Sequence, residues 1–393
     1  MADPATILTL ALALLASAVM AWVIGAGSSG ATPFAPAVGA NAISILRAAL
    51  LVGILGFLGA VLQGGNVSTA IGTGLIEGTT LPASGVIAVL SIGAGLMIVG
   101  ILTGYPIATA FTVTGAVVGV GLAVGGSPAW AKYGQILAVW LLTPPVGGGT
   151  AYALARVLPR DDVPETVSVP LLAGLVGAVV TNVQFSVLGP AGAPRALSTS
   201  LGAALPGPIL PGRIAVTLVL AVLAGALVRW DVRRDTRRGL QRFLVVLGGL
   251  VAFAAGGSQV GLAVGPLIPL LDGYAVPLTV VLVGGGVGML VGSWSGAPRM
   301  IKALSQDYAS LGPRRSIAAL VPAFVVAQVA IVLGVPISFN EIVVSAIVGS
   351  GVAVGGMAGT SSSKLARTAL VWVGSLVGSL VLGYVVFALL LPA

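Results

Sequence analysis

Along the chain, apolar runs of 13–24 residues alternate with short segments rich in glycine, proline and small hydroxyl residues. The runs are Ile7–Ile24, Leu46–Leu62, Ser84–Thr103 and Tyr133–Arg156, then Val169–Leu188 and Ile214–Val228, then Phe243–Ala255, Leu278–Val291, Ile317–Leu333 and Val371–Leu391. A bilayer-spanning helix takes about 20 residues, so each run predicts a span or most of one. Four intervening segments resist regular helix: Gly25–Gly39, Gly104–Gly121, Gly256–Pro266 and Gly334–Gly351, all containing proline. Proline removes a backbone donor and clashes with the preceding turn. Broken backbone at membrane depth is tolerated only where it is buried in protein or lines a cavity. Tyr133–Arg156 is interrupted in the same way by Pro144-Pro145.

Two of the broken segments are copies of each other. Gly104-Tyr-Pro-Ile aligns with Gly334-Val-Pro-Ile at an offset of 230, and both stretches close on Val-Gly-x-Gly. The same offset places Ser28-Ser29 on Ser258-Gln259. Shared register over two motifs means an internal duplication, the mark of many secondary transporters. The chain divides on this basis into a first repeat (1–160), linking spans with a basic cytoplasmic loop (161–242) and a second repeat (243–393).

Composition narrows the class. Apolar residues make up 57% and charged residues 7%, with a mean hydropathy of +1.13. A soluble domain carries roughly 25% charged residues. The expected fold is therefore an all-α polytopic membrane protein of about 10–12 transmembrane segments, given the span length above. It has two inverted-topology repeats with broken, re-entrant helices, and lies in the cell membrane as a multi-pass integral protein. Ile7–Ile24 lacks a basic flank and reads as a retained span rather than a signal peptide. No cysteine or histidine is present, which removes disulfides, thiolate chemistry and histidine acid/base work.

The net charge of +8 does not point to nucleic acid, because the basic residues sit at helix ends without interleaved aromatics. It points to topology. The equivalent segments Gly64–Pro82 and Gly296–Arg315 hold, respectively, no basic residue and four: Arg299, Lys302, Arg314 and Arg315. The first belongs outside and the second inside, so the halves are inverted and the N-terminus faces outward. The run Arg229–Arg242 anchors the cytoplasmic side.

The four broken segments bring neutral polar side chains to the midplane: Ser28, Ser29, Thr32, Thr109, Thr112, Ser258, Gln259, Ser338 and Asn340. With the free N–H groups of half-helices they form a cage for a tetrahedral oxyanion. Taken singly, glycine and serine in spans are explained by close helix packing; the matched register favours a site. Glu341 is the one carboxylate inside a broken-helix motif, opposite Phe111 in the other repeat. An intramembrane carboxylate reads as functional, and Glu341 is the candidate for coupling to H+ or Na+. The plain alternatives are that it sits at a water-exposed mouth or pairs with a lysine or arginine such as Arg367.

At these residues the chain resembles the inorganic phosphate transporter (PiT) family. That family repeats a Gly-Ala-Asn-Asp-Val-Ala-Asn-Ala type segment and a Gly-x-Pro-Val-Ser-Ser/Thr-Ser/Thr-His type segment. The second corresponds here to Gly104–Phe111 and Gly334–Glu341. The family's Asn-Asp falls on Ser28-Ser29 and Ser258-Gln259, so both aspartates are missing, and its histidine is replaced by Phe111 and Glu341. The sodium and phosphate ligands of the family at those positions therefore do not carry over. The sulfate permease branch resembles the chain more closely, with small residues in place of Asn-Asp and a glutamate where Glu341 stands. Sulfate only accepts hydrogen bonds, whereas hydrogen phosphate also donates one.

These readings predict a secondary active inorganic anion permease, sulfate first, driven by protons or sodium. The alternatives are a coupled inorganic phosphate transporter and a passive anion channel. Moving an anion inward against the potential costs about 2.3 kcal/mol per charge per 100 mV, so a dianion needs two co-transported cations for neutrality. No catalytic set is present for an enzyme, no cofactor is called for, and the oligomeric state is left open, a homodimer included. The partners expected are a small oxyanion (sulfate or phosphate) and the lipid bilayer.

Overall fold

The computed structural model describes residues 4–190, 193–274, 276–309, 311–356 and 362–390. The first part comprises α1 (Pro4–Gly27), α2 (Ala35–Gly39), α3 (Ile45–Gln63), α4 (Gly65–Thr73), α5 (Ala83–Thr103), α6 (Thr109–Ala123), α7 (Trp130–Thr143) and α8 (Gly149–Val157). The link comprises α9 (Glu165–Asn182), α10 (Leu197–Gly202) and α11 (Ile209–Arg234). The second part comprises α12 (Thr236–Val264), α13 (Ile268–Leu271), α14 (Leu278–Ser295), α15 (Ala297–Gln306), α16 (Pro313–Val332), α17 (Phe339–Gly355) and α18 (Ser362–Leu390). Two short antiparallel pairs, at Ile76–Glu77 with Ser127–Pro128 and at Gln184–Phe185 with Arg195–Ala196, stitch loops together. Among the described residues ten helical segments are long and apolar enough to span a bilayer, and α6 and α17 are shorter apolar helices. The protein is a multi-pass integral membrane protein.

Shifting the first part by 230 residues lays α1 on α12, α3 on α14, α4 on α15, α5 on α16, α6 on α17 and α7–α8 on α18, with ends agreeing within about three residues except that α12 runs seven residues further than α1. Packing follows the same exchange. α1 packs on α14 as α12 packs on α3, and α6 packs on α18 as α17 packs on α8. Each half therefore completes the other. α1, α3, α5, α6, α7–α8, α9 and α11 precede α12, an odd number of passes, so equivalent helices run in opposite directions. Threaded this way, all basic residues except Lys132, Arg195 and Arg213 fall on one side, the cytoplasmic side.

The halves meet through glycine. A Cβ on Gly59 would lie 1.8 Å from the Phe253 carbonyl oxygen, and one on Gly256 would lie 1.9 Å from that of Gly56. The α3–α12 backbones touch there with no room for a side chain, as small-residue interfaces in membranes allow.

Two expectations need correction. Gly256–Pro266 breaks only at its end: α12 runs unbroken through Ser258 and Gln259 to Val264, and the break comes at Gly265–Leu267. In a water-poor interior the glycines serve close packing rather than bending. Arg229–Arg242 is not a loop either. α11 and α12 meet at Asp235, whose side chain accepts from the Arg238 N–H at 3.0 Å and caps α12. The predicted interruption at Pro144-Pro145 is a π-helical turn, Pro144–Gly148, between α7 and α8.

Candidate functional site

α5 and α16 end at equivalent glycines in the left-handed region, Gly104 (φ 75°) and Gly334 (φ 58°). Only glycine adopts that conformation freely. Each is followed by an extended x-Pro-Ile-x loop and then by α6 or α17. The loop carbonyls are tied off in the same order. Trp372 Nε1 donates to Pro106 O at 2.7 Å, and Trp140 Nε1 donates to Pro336 O at 2.8 Å. Asn340 Nδ2 donates to Ile107 O at 2.7 Å, and Gln259 Nε2 donates to Ile337 O at 2.6 Å. With carbonyls held back, the first-turn N–H groups of α6 and α17 have no intrahelical acceptor and stand at the positive ends of their helices, which favour an anion.

Cross-links close the cluster. Ser28 Oγ donates to Gln259 Oε1 at 3.2 Å, and Asn340 Nδ2 also reaches Gly27 O at 3.4 Å. The end of α1, the α5–α6 loop, α12 and the α16–α17 loop thus converge through hydrogen bonds. Ser28, Ser258, Gln259, Ser338 and Asn340 are fully buried, and Glu341 is 2% exposed. Four atoms among them have no hydrogen-bond partner: Ser258 Oγ, Ser338 Oγ, Asn340 Oδ1 and Glu341 Oε2. Unpaired buried polar atoms are costly and rare, and four of them are concentrated here. Arg367 is exposed and reaches the Tyr105 hydroxyl at 3.5 Å.

The other expected residues flank the cluster. Ser29, Thr32 and Thr112 donate to the carbonyls of Ile24, Ser28 and Ala108, so their hydrogens are already engaged. Thr109 Oγ1 faces Met97 Sδ at 3.4 Å. Sequence reasoning missed Trp140 and Trp372, buried tryptophans two residues out of the 230 register, and Thr114, whose Oγ1 is buried and unpartnered. It also missed Gln63 and Gln328, joined by an amide hydrogen bond of 2.7 Å between α3 and α16.

The two membrane sides differ. On the outer side a cavity of ≈560 Å³, lined in part by Gln63, Asn66 and Thr69, reaches the α3–α4 junction. Gln63 there lies against Gly257, next to Ser258. On the basic side Lys364 pairs with Asp307 and lies 5.0 Å above the Tyr308 ring, while the Tyr308 hydroxyl bonds Thr368 at 2.9 Å. Burial pushes the Tyr308 phenol up to about 12 against the pull of the Thr368 hydrogen bond.

The sequence matches the phosphate transporter family over residues 24–383. The chain belongs to that family. It is 29% identical over 373 residues to a candidate phosphate permease of Pyrococcus abyssi, with 90% of each chain covered. It is 26% identical over 392 residues to the chloroplastic inorganic phosphate transporter 2-1 of Arabidopsis thaliana, covering 87% of this chain and 65% of the relative. A solved sodium-dependent phosphate transporter superimposes with a TM-score of 0.77 at 23% identity, covering 98% of this chain and all of the other. That likeness fixes the fold: the family architecture is kept although both motif aspartates are absent.

Proposed function

We propose that the protein is a secondary active transporter of inorganic phosphate, coupled to a proton or sodium gradient. One observation carries the reading: a buried carboxylate with an unpaired oxygen, Glu341 Oε2, stands in the first turn of α17, beside Asn340, which links that turn to the end of α1 and the α5–α6 loop. Hydrogen phosphate offers one O–H to such an acceptor and its remaining oxygens to N–H and O–H donors. Sulfate has no hydrogen to give, so a carboxylate beside it would be unpaired and repulsive. The missing aspartates led the sequence reading to sulfate. Glu341, buried without a basic partner among the described residues, supplies the acceptor they would have supplied, and the names of the relatives favour phosphate as well.

In this account the donors are the first-turn N–H groups of α6 and α17 with Ser258 and Ser338. Asn340 and Gln259 position the two loops. Glu341 accepts the phosphate hydrogen or exchanges the coupling cation. Rocking of the two repeats about the site alternates access. The test is uptake in cells lacking their own phosphate and sulfate transporters. Phosphate uptake undiminished by tenfold excess sulfate is expected; sulfate uptake without phosphate uptake would overturn the proposal.

A further inference from the structure

The linking helices α9 and α11 pack closely. A Cβ on Gly177 would lie 2.7 Å from the Ala224 Cβ, and one on Gly225 would lie 2.9 Å from Pro170 O. Against α12 the pair does not close. A groove of ≈570 Å³ runs between the three helices, walled by Val176, Val180, Leu227, Phe243, Val246 and Leu250.

Its depth is informative. Gly239 and Leu250 both line it, and eleven residues of α12 rise about 16 Å at 1.5 Å per residue. The hydrocarbon core is about 30 Å thick, so the groove reaches one leaflet deep. It opens on the basic side, where Trp230, Asp231 and Arg242 line its mouth. Arg242 pairs with Asp231, and the Arg234 guanidinium lies 3.7 Å over the Trp230 ring. Residues 229–242 carry six arginines against two aspartates, and all six arginines are exposed.

We propose that this groove holds an acyl chain of an anionic phospholipid from the inner leaflet, its phosphodiester seated among the arginines of 229–242. The walls are apolar and face hydrocarbon, so a lipid chain fills them without desolvating any polar group. The mouth then selects by charge: each basic residue near the surface strengthens binding of anionic lipid about fivefold. A zwitterionic lipid fits the walls but gains little at the mouth. The bound chain braces α12, which carries Ser258 and Gln259 at its far end, against the linking helices.

The test is native mass spectrometry of the detergent-purified protein with phosphatidylglycerol or phosphatidylcholine of identical chains. One phosphatidylglycerol should be retained with at least tenfold preference. Millimolar inorganic phosphate should not displace it, which separates a lipid headgroup from free phosphate. Arg238→Gln with Arg242→Gln should lower retention more than tenfold, and Val246→Trp should lower it by filling the groove. Circular dichroism in detergent identifies variants that fail to fold, and the wild-type lipid preference stands as a test without them. Equal retention of both lipids would overturn the proposal, as would undiminished binding in folded variants. Efficient cross-linking between copies through Leu227→Cys, in this cysteine-free chain, would also overturn it by placing a second copy on this face.

Discussion

Gln259 ties α12 to the end of α1 and to the α16–α17 loop. It donates to Ile337 O at 2.6 Å and accepts from Ser28 Oγ at 3.2 Å, fully buried. Gln259→Met keeps the length of the side chain and removes both bonds. Each bond contributes roughly 0.5–1.5 kcal/mol net, and the stranded Ile337 carbonyl adds about 1–3 kcal/mol of uncompensated desolvation. The expected loss is about 2–6 kcal/mol in the assembled site, or at least about 30-fold in phosphate affinity at about 1.4 kcal/mol per tenfold. Ser28→Ala removes only the longer bond and should cost about 1 kcal/mol, roughly fivefold. In the Gln259→Met background that cost should nearly vanish, leaving a coupling of about 1 kcal/mol. Phosphate binding by isothermal calorimetry on the four proteins reads the cycle. Binding by Gln259→Met within threefold of wild type, or additive single changes, would refute the assembly of the site through Gln259.

Trp140→Phe and Trp372→Phe each strand a buried proline carbonyl, and each should cost about 1–3 kcal/mol; similar drops in thermal stability are expected, and a marked inequality would break the equivalence of the two loops. Gly59→Ala should be severely destabilising, because its Cβ meets backbone at 1.8 Å, whereas Gly95→Ala, with nothing within 4 Å, should express normally. Single cysteines replacing Thr79 and Lys302 should react with an impermeant maleimide from the outside and the inside of the membrane respectively; labelling from one side alone would contradict the inverted topology.

Much of this was legible in the chain. The offset of 230 anticipated the pairing of helices, and Gly-x-Pro-Ile marked both loops because glycine takes the positive φ freely and proline fixes φ and ends regular helix. The error at Gly256–Pro266 came from extending the break at Pro266 back through the whole segment, whereas α12 is regular to Val264. Gly256 and Gly261 instead meet neighbouring backbone, the Gly56 carbonyl and the Ser68 N–H, at 1.9 and 2.7 Å from a built Cβ. Such contacts depend on tertiary partners far off in sequence. The arginines of 229–242 read as a loop by charge, yet arginine forms helix well and Asp235 caps the joint. The preference for sulfate weighed missing aspartates at two positions. Whether Glu341 replaced them depended on its burial and its lack of a basic partner, which no local pattern encodes.

The most direct measurement is accumulation of radiolabelled phosphate in proteoliposomes under imposed proton or sodium gradients, for wild type and Glu341→Gln. One of the two gradients should drive wild-type accumulation, and Glu341→Gln should abolish it while circular dichroism stays unchanged. Gradient-driven accumulation that persists in Glu341→Gln would contradict the role given to that carboxylate.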